Sequence, residues 1–195
     1  MANMSVHYGC SVACEKSARK SVMHDSRVLQ SQRLTLRPLR DDDILLLYAI
    51  QSNPLAMQFT YVAPALEACA RRLRTYEDSR QSLGFAPWVV VDRSQGQGRV
   101  IGWGGLSVDP YGPGWGPEVS YFFDPACWGR GLATELVASA LGHAFHDLSL
   151  SRVSAFAMSD NLASIRVLQK CGFTFLRYEP TLERNHYQIC ARRAI

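Results

Sequence analysis

Cys127-Trp128-Gly129-Arg130-Gly131-Leu132-Ala133-Thr134-Glu135 is the stretch of this chain whose residue types best suit chemistry, and that chemistry is anion binding. Gly129 and Gly131 have no side chain to block a ligand. An apolar run at helical spacing follows them: Leu132, Leu136, Val137, Ala140, Leu141, Ala144, Phe145 and Leu148. At such a helix start the first amide N–H groups lack partners, and the helix dipole adds partial positive charge. A pyrophosphate fits there. Two glycines also make a plain tight connection, so the turn alone does not decide. A second motif, Asn161-Leu162-Ala163-Ser164, opens a short helix that ends at Cys171-Gly172-Phe173. Ser159, Asp160 and Asn161 are N-cap candidates, Ile165 and Leu168 share an apolar face, and Gly172 suits a left-handed position after a helix. Capping and packing account for each residue singly. They do not account for the order.

That order depends on strands that deliver the two motifs. Val119-Ser120-Tyr121-Phe122-Phe123, stopped by Asp124-Pro125, precedes the glycine turn, and Arg152-Val153-Ser154-Ala155-Phe156-Ala157 precedes the Asn-x-x-Ser helix. Upstream, Asp41-Asp42-Asp43 places acids at the start of a helix that Asn53-Pro54 ends, and a second helix is expected from Ala65 to Arg80. Trp88-Val89-Val90-Val91 and Val100 to Leu106 read as antiparallel strands joined through Ser94-Gln95-Gly96-Gln97-Gly98. Glycines and prolines exclude regular structure from Asp109 to Pro117. Thr174 to Tyr178 and His186 to Cys190 supply closing strands.

The 195 residues suit one domain with a sizeable core. Residues 1–30 are polar and aperiodic and read as an extension that need not pack, with Met23 an alternative start. The folded domain is expected over 31–195. No apolar run reaches transmembrane length and no secretory core opens the chain, which reads as cytoplasmic with no membrane partner. The six cysteines lack disulfide or metal-ligand spacing, so no metal is expected. A formal charge of +4 without a dense basic stripe argues against nucleic acid and is compatible with a polyanionic ligand.

Strand, glycine turn, helix, strand, Asn-x-x-Ser helix and Gly-Phe, in that order, resemble the GNAT superfamily of acetyl-CoA-dependent N-acetyltransferases. Ser31-Gln32-Arg33-Leu34-Thr35-Leu36-Arg37-Pro38-Leu39 is similar to the first strand of its RimJ/RimL-like branch, which acetylates ribosomal-protein N-termini. The resemblance runs from about Leu29 to the C-terminus. Trp128 departs from it, standing where the family signature has Gln or Arg. The resemblance implies an α/β fold whose mixed, mostly antiparallel sheet is splayed in the middle and flanked by helices. It implies acetyl-CoA as cosubstrate, a primary amine as acceptor, and a monomer or homodimer.

The implied cofactor contacts are the backbone of Tyr121, Phe122 and Phe123, the turn from Trp128 through Gly129, Arg130, Gly131, Leu132 and Ala133 to Thr134, and Asn161 and Ser164 on the second helix. A neutral amine must attack, so a carboxylate base is useful. Glu118 and Glu183 are the candidates, and the resemblance favours Glu183. The family's usual proton donor, a tyrosine four residues after Ser164, is replaced by Leu168, which leaves Ser164 near the sulfur. Trp103, Tyr111, Trp115 and His186 could line an acceptor pocket or simply pack. Protein N-termini, polyamines and aminoglycosides all remain acceptors, and a non-catalytic acyl-CoA sensor is the reading from a different class.

Overall fold

The computed structural model describes residues 28–94 and 98–191. Eight strands form one sheet in the order β1-β2-β3-β4-β5-β6-β8-β7. They are β1 (Leu29–Gln30), β2 (Leu34–Arg37), β3 (Trp88–Asp92), β4 (Arg99–Ser107), β5 (Glu118–Phe123), β6 (Arg152–Ala157), β7 (Thr174–Glu179) and β8 (Arg184–Cys190). Every neighbouring pair is antiparallel except β5 with β6, which are parallel and meet at a single residue pair, Glu118 and Ser154. Beyond that pair the two strands part, and the sheet opens into a V.

Alternation along the strands sends side chains to two cores. Leu36, Val90, Ile101, Val119, Phe123, Val153 and Ala155 pack beneath helices α3 (Leu132–Gly142) and α4 (Leu162–Lys170). Val89, Trp103 and Phe122 face the other way, against α1 (Asp43–Gln51) and α2 (Leu66–Leu83), whose Leu47, Ile50, Leu73 and Tyr76 close the second core. The helices therefore sandwich the sheet. Among the described residues no helix is long and apolar enough to cross a membrane.

The elements differ from the sequence expectations at particular places. Leu29 and Gln30 were assigned to the extension, yet they pair with Leu36 and Thr35, and Leu29 packs on the core. Residues 1–27, including Met23, lie outside the described residues, as do 95–97 of the β3–β4 connection. Helix α2 runs three residues beyond Arg80, to the left-handed Gly84 at φ 80°, because the Arg80 carbonyl still accepts the Gly84 N–H. The acids before α1 do not cap it through a side chain. Asp43 instead grips the Arg37 guanidinium with both oxygens at 2.6 Å and accepts the Arg40 N–H at 2.8 Å, fastening α1 to β2. The helix after the glycine turn keeps α-helical bonding only to Gly142, and His143–Asp147 form a π-helical turn. One 3₁₀ turn, Pro113–Trp115, interrupts the loop expected to be irregular.

Leu136 on α3 is wholly buried, whereas Leu162 at the start of α4 is exposed. Leu136→Ala is expected to lower unfolding free energy by about 2–5 kcal/mol in urea titration, and Leu162→Ala by less than about 1 kcal/mol. Equal losses would show that α3 is not the helix that seals the core.

Candidate active site

The glycine turn leaves β5 through the 3₁₀ turn Pro125–Cys127, where the Asp124 carboxylate accepts the Ala126 N–H and the Asp124 carbonyl accepts the Cys127 N–H. Gly129 and Gly131 then take φ values of 73° and 75°, a conformation that L side chains rarely adopt, and Gly131 is the N-cap of α3. No hydrogen bond among the described residues uses the N–H groups from Gly129 to Thr134. They are the unpaired donors that the sequence called for, at the end of the open V.

Residues distant in sequence fix the shape of this turn. Glu135, in the first turn of α3, accepts from Ser31 Oγ at 2.6 Å, Arg33 N at 2.7 Å and Arg33 Nε at 2.7 Å. Burial works against ionisation of Glu135, but these donors outweigh it and hold its carboxyl below the usual range. The other arm of the Arg33 guanidinium donates to the Arg130 carbonyl at 2.8 Å. The Arg130 side chain turns away onto Asp92 at 2.9 Å and Ser94 at 3.0 Å, so its backbone alone is offered to a ligand. Trp128, the departure from the family signature, donates its indole N–H to the Phe123 carbonyl at 3.2 Å and ties the turn to the end of β5. Sequence reasoning placed Ser31 and Arg33 on a strand and missed this brace. Nothing local to those residues signals a partner a hundred positions away.

On the other side of the V, Asn161 is the N-cap of α4 and accepts the Ser164 N–H at 3.1 Å. Its side-chain oxygen is therefore engaged, which leaves the amide nitrogen for a ligand. Ser164 is half-buried, and Leu168 is 2% exposed with its side chain in the core. Gly172 has φ 87°, the left-handed geometry expected after the helix.

The two candidate bases stand in unlike surroundings. Glu183 is exposed in the β7–β8 turn at φ 53°, and its carboxylate makes no hydrogen bond or ion pair among the described residues. Glu118 sits at the apex of the V, opposite Ser107 of β4 and Ser154 of β6 in register. Burial first, then the nearby Asp109 carboxylate, push its pKa up to about 7, against the pull of Arg184. Arg184 is held by the Phe59 carbonyl at 3.1 Å, while Asp109 accepts from the Tyr76 hydroxyl at 3.2 Å and the Tyr111 N–H at 3.0 Å. Ser107 Oγ, buried beside Glu118 in register, has no partner among the described residues.

The aromatic candidates divide. Trp103 is 6% exposed and belongs to the second core, stacked on Phe122 at 5.7 Å between ring centroids. Its ring is packed into that core. Tyr111 is 61% exposed, and with Tyr61 and Tyr76 it surrounds the Arg72 guanidinium at 5.1 to 5.5 Å. Trp115 lies edge-on to Phe156 and His186. His186 is buried, with Nε2 3.1 Å from Ser154 Oγ and Nδ1 3.7 Å from Glu179, too long for a hydrogen bond. Burial, reinforced by Arg177, lowers its pKa against the opposing Glu179 and favours the neutral ring. Among the described residues no cluster of His, Cys, Asp or Glu is placed to hold a metal ion.

With the V, the amide-lined turn and the Asn-capped helix in place, comparison with known proteins is decisive. Residues 33–174 match the Acetyltransferase (GNAT) domain. The chain belongs to the GNAT acetyltransferase family. It is 27% identical over 164 residues to the uncharacterized N-acetyltransferase YoaA of Bacillus subtilis strain 168, covering 83% of this chain and 89% of that protein. To the probable N-acetyltransferase YjcK of the same organism it is 47% identical over 55 residues, which is 28% of this chain and only 30% of YjcK. The fold is shared with RimL, a ribosomal L7/L12 α-N-protein acetyltransferase solved with coenzyme A. The TM-score is 0.69 at 17% identity, covering 84% of this chain and 98% of that one.

Arg33→Ala removes both the Glu135 pair and the bond to the Arg130 carbonyl, so the turn must be ordered by its ligand. CoA affinity by calorimetry is expected to fall about tenfold, with melting temperature little changed. Undiminished affinity would mean that the glycine turn holds its shape unaided.

Proposed function

We propose that this GNAT enzyme transfers an acetyl group from acetyl-CoA to a primary amine, with a free α-amine such as a protein N-terminus as acceptor. The observation that carries the reading is the V between β5 and β6, which runs from Glu118 at its apex to the six amides of Gly129 to Thr134, without partners among the described residues, at its end. The open space over Gly129 fits a pyrophosphate at those amides. The parted edge of β5 at Tyr121, Phe122 and Phe123 suits an extended pantetheine arm and offers a backbone N–H to the oxyanion. The Asn161 amide nitrogen and Ser164 face the same arm from α4.

Glu118 serves as the base in this reading, in preference to the solvent-exposed Glu183. With a pKa near 7 it is largely ionised above neutrality and still a competent proton acceptor. An α-amine, with a pKa of about 7.7–8.0, lies about one unit away, whereas a lysine-like amine at about 10.4 lies more than three. That match favours the α-amine. A polyamine is the second reading, favoured by the paired carboxylates of Asp109 and Glu118 beside the rings of Tyr76 and Tyr111.

Thiol release from acetyl-CoA should be followed with peptides bearing a free α-amine, the same peptides blocked at the N-terminus but carrying lysine, spermidine and an aminoglycoside. The expected order puts the free α-amine at least about tenfold ahead in kcat/KM. A preference for spermidine would transfer the acceptor assignment to polyamines. Silence with every acceptor, alongside tight CoA binding, would leave a sensor.

Glu118→Gln is expected to remove the rising limb of kcat/KM near pH 7 and to recover part of its rate at high pH, where the amine deprotonates unaided. The same variant tests stability. A folded pKa raised from 4.5 to about 7 means that wild-type stability is full below pH 4.5 and is lost as the pH rises through 7. The variant should therefore gain on the wild type over that window, by up to about 3 kcal/mol at pH 8 in denaturant titration. A constant difference across the window would mean that Glu118 is not the group that titrates there. Ser164→Ala should lower turnover more than it weakens acetyl-CoA binding, because a contact to developing charge on sulfur acts in the transition state.

A further inference from the structure

Tyr121 presents a buried polar atom, and the one polar group among the described residues that lowers its pKa is another hydroxyl, that of Ser164. The side chains of Val119, Tyr121 and Phe123 leave β5 toward α3 and α4, while Phe122 leaves it toward α1 and α2. Tyr121 lies three residues past the Glu118 and Ser154 pair, in the part of β5 that β6 no longer accompanies. Its ring packs against the core, which a phenylalanine would do equally well. Its hydroxyl is buried and, among the described residues, finds no hydrogen bond of regular geometry, with Ser164 the hydroxyl that acts on it. A buried unpaired hydroxyl is unfavourable, and its retention calls for an explanation.

The polar groups around this hydroxyl identify what it serves. Ser164, from the first turn of α4, acts on it across the opening, and Cys171 lies near. The Cys171 thiol is already directed to the Thr134 carbonyl at 3.7 Å, and Leu168 offers no polar atom. Tyr121 and Ser164 are thus the two hydroxyls that meet where β5 and α4 face each other across the V.

We infer that Tyr121 donates a hydrogen bond from its hydroxyl to the sulfur of the acyl donor, acting with Ser164 on the departing thiolate. The inference rests on the acetyl-CoA reading above. In the transfer the amine nitrogen bonds to the thioester carbonyl carbon, the carbon–sulfur bond breaks, and its electron pair goes to sulfur. The amine proton goes to Glu118. Tyr121 keeps its own proton, because burial foremost holds the phenol up near 12, far above a thiol near 8.5. It stabilises the thiolate as a donor, and the thiolate takes its proton from water after release. The ring also forms part of the wall along which the pantetheine arm would lie, so the hydroxyl is placed before the ligand arrives.

The test compares CoA with desulfo-CoA, which differ only at the sulfur, by calorimetric titration of the full chain from pH 6 to 10. In the wild type the ratio of the two affinities should favour CoA and should rise as the thiol ionises above about pH 8. Tyr121→Phe should cut that ratio about tenfold and flatten its rise, with desulfo-CoA affinity unchanged. Its kcat should fall while KM for acetyl-CoA is held. A ratio and pH rise like those of the wild type would overturn the inference. So would equal losses for both ligands, which would assign the hydroxyl to another part of the ligand or to the fold. Should Tyr121→Phe fail to fold, 3,5-difluorotyrosine placed at position 121 keeps the shape and makes the hydroxyl more acidic. The ratio must then shift and lose its rise where the new phenol ionises, and an unmoved ratio overturns the inference. A wild type that binds neither ligand would overturn the acetyl-CoA reading first, and this inference with it.

Discussion

The parallel contact between β5 and β6 is reduced to one residue pair, and the rest of the site depends on that constraint. β5 is held on its far side by β4 and β6 by β8, so each strand is rigid while its inner edge is open. Backbone N–H and C=O groups on such an edge favour pairing with whatever extended chain lies beside them. The divergence also fixes where the following elements begin. The glycine turn and α3 start from the end of β5, and α4 starts from the end of β6, so the two helix N-termini stand on opposite sides of one opening.

Holding that opening in shape falls to groups outside it. Glu135 and the Arg130 carbonyl are both bound by Arg33, and Arg130 itself is bound by Asp92. The segment leading into β2 is thereby tied to the first turn of α3, and the end of β3 to the glycine turn, through partly buried, hydrogen-bonded ion pairs, which resist screening better than exposed ones. The glycines permit the backbone conformation and the brace selects it.

The apex of the V carries the opposite arrangement. Glu118 is half-buried beside Ser107 and Ser154, with the Asp109 carboxylate raising its pKa and Arg184 opposing that rise, a setting that stability alone would not favour. The same burial that makes it costly to ionise makes it a proton acceptor near neutral pH. Tyr121 is a parallel case, with a buried hydroxyl that lacks a hydrogen bond of regular geometry among the described residues. Such groups cluster around the V, whereas the two helical faces of the sheet are filled by apolar side chains with few polar interruptions.

Much of this was legible in the residue order. Period-2 and period-3.6 patterns marked β3 to β8 and the four helices, the two glycines marked the turn, and Asn161 marked the start of α4, because each signal lies within a few residues of the feature it specifies. Between Glu118 and Glu183 the residues themselves gave no ranking, and the family resemblance leaned to Glu183. Both are acids near strand ends, and their difference arises from burial and from Asp109 and Arg184, which are brought in by other strands. Nor could the sequence show that Arg33 braces the turn, that Trp103 is core, or that the Tyr121 hydroxyl is buried beside Ser164. Local geometry is set by neighbours along the chain and can be read from it. Desolvation and hydrogen-bond satisfaction are set by neighbours in space, and only the folded sheet determined those.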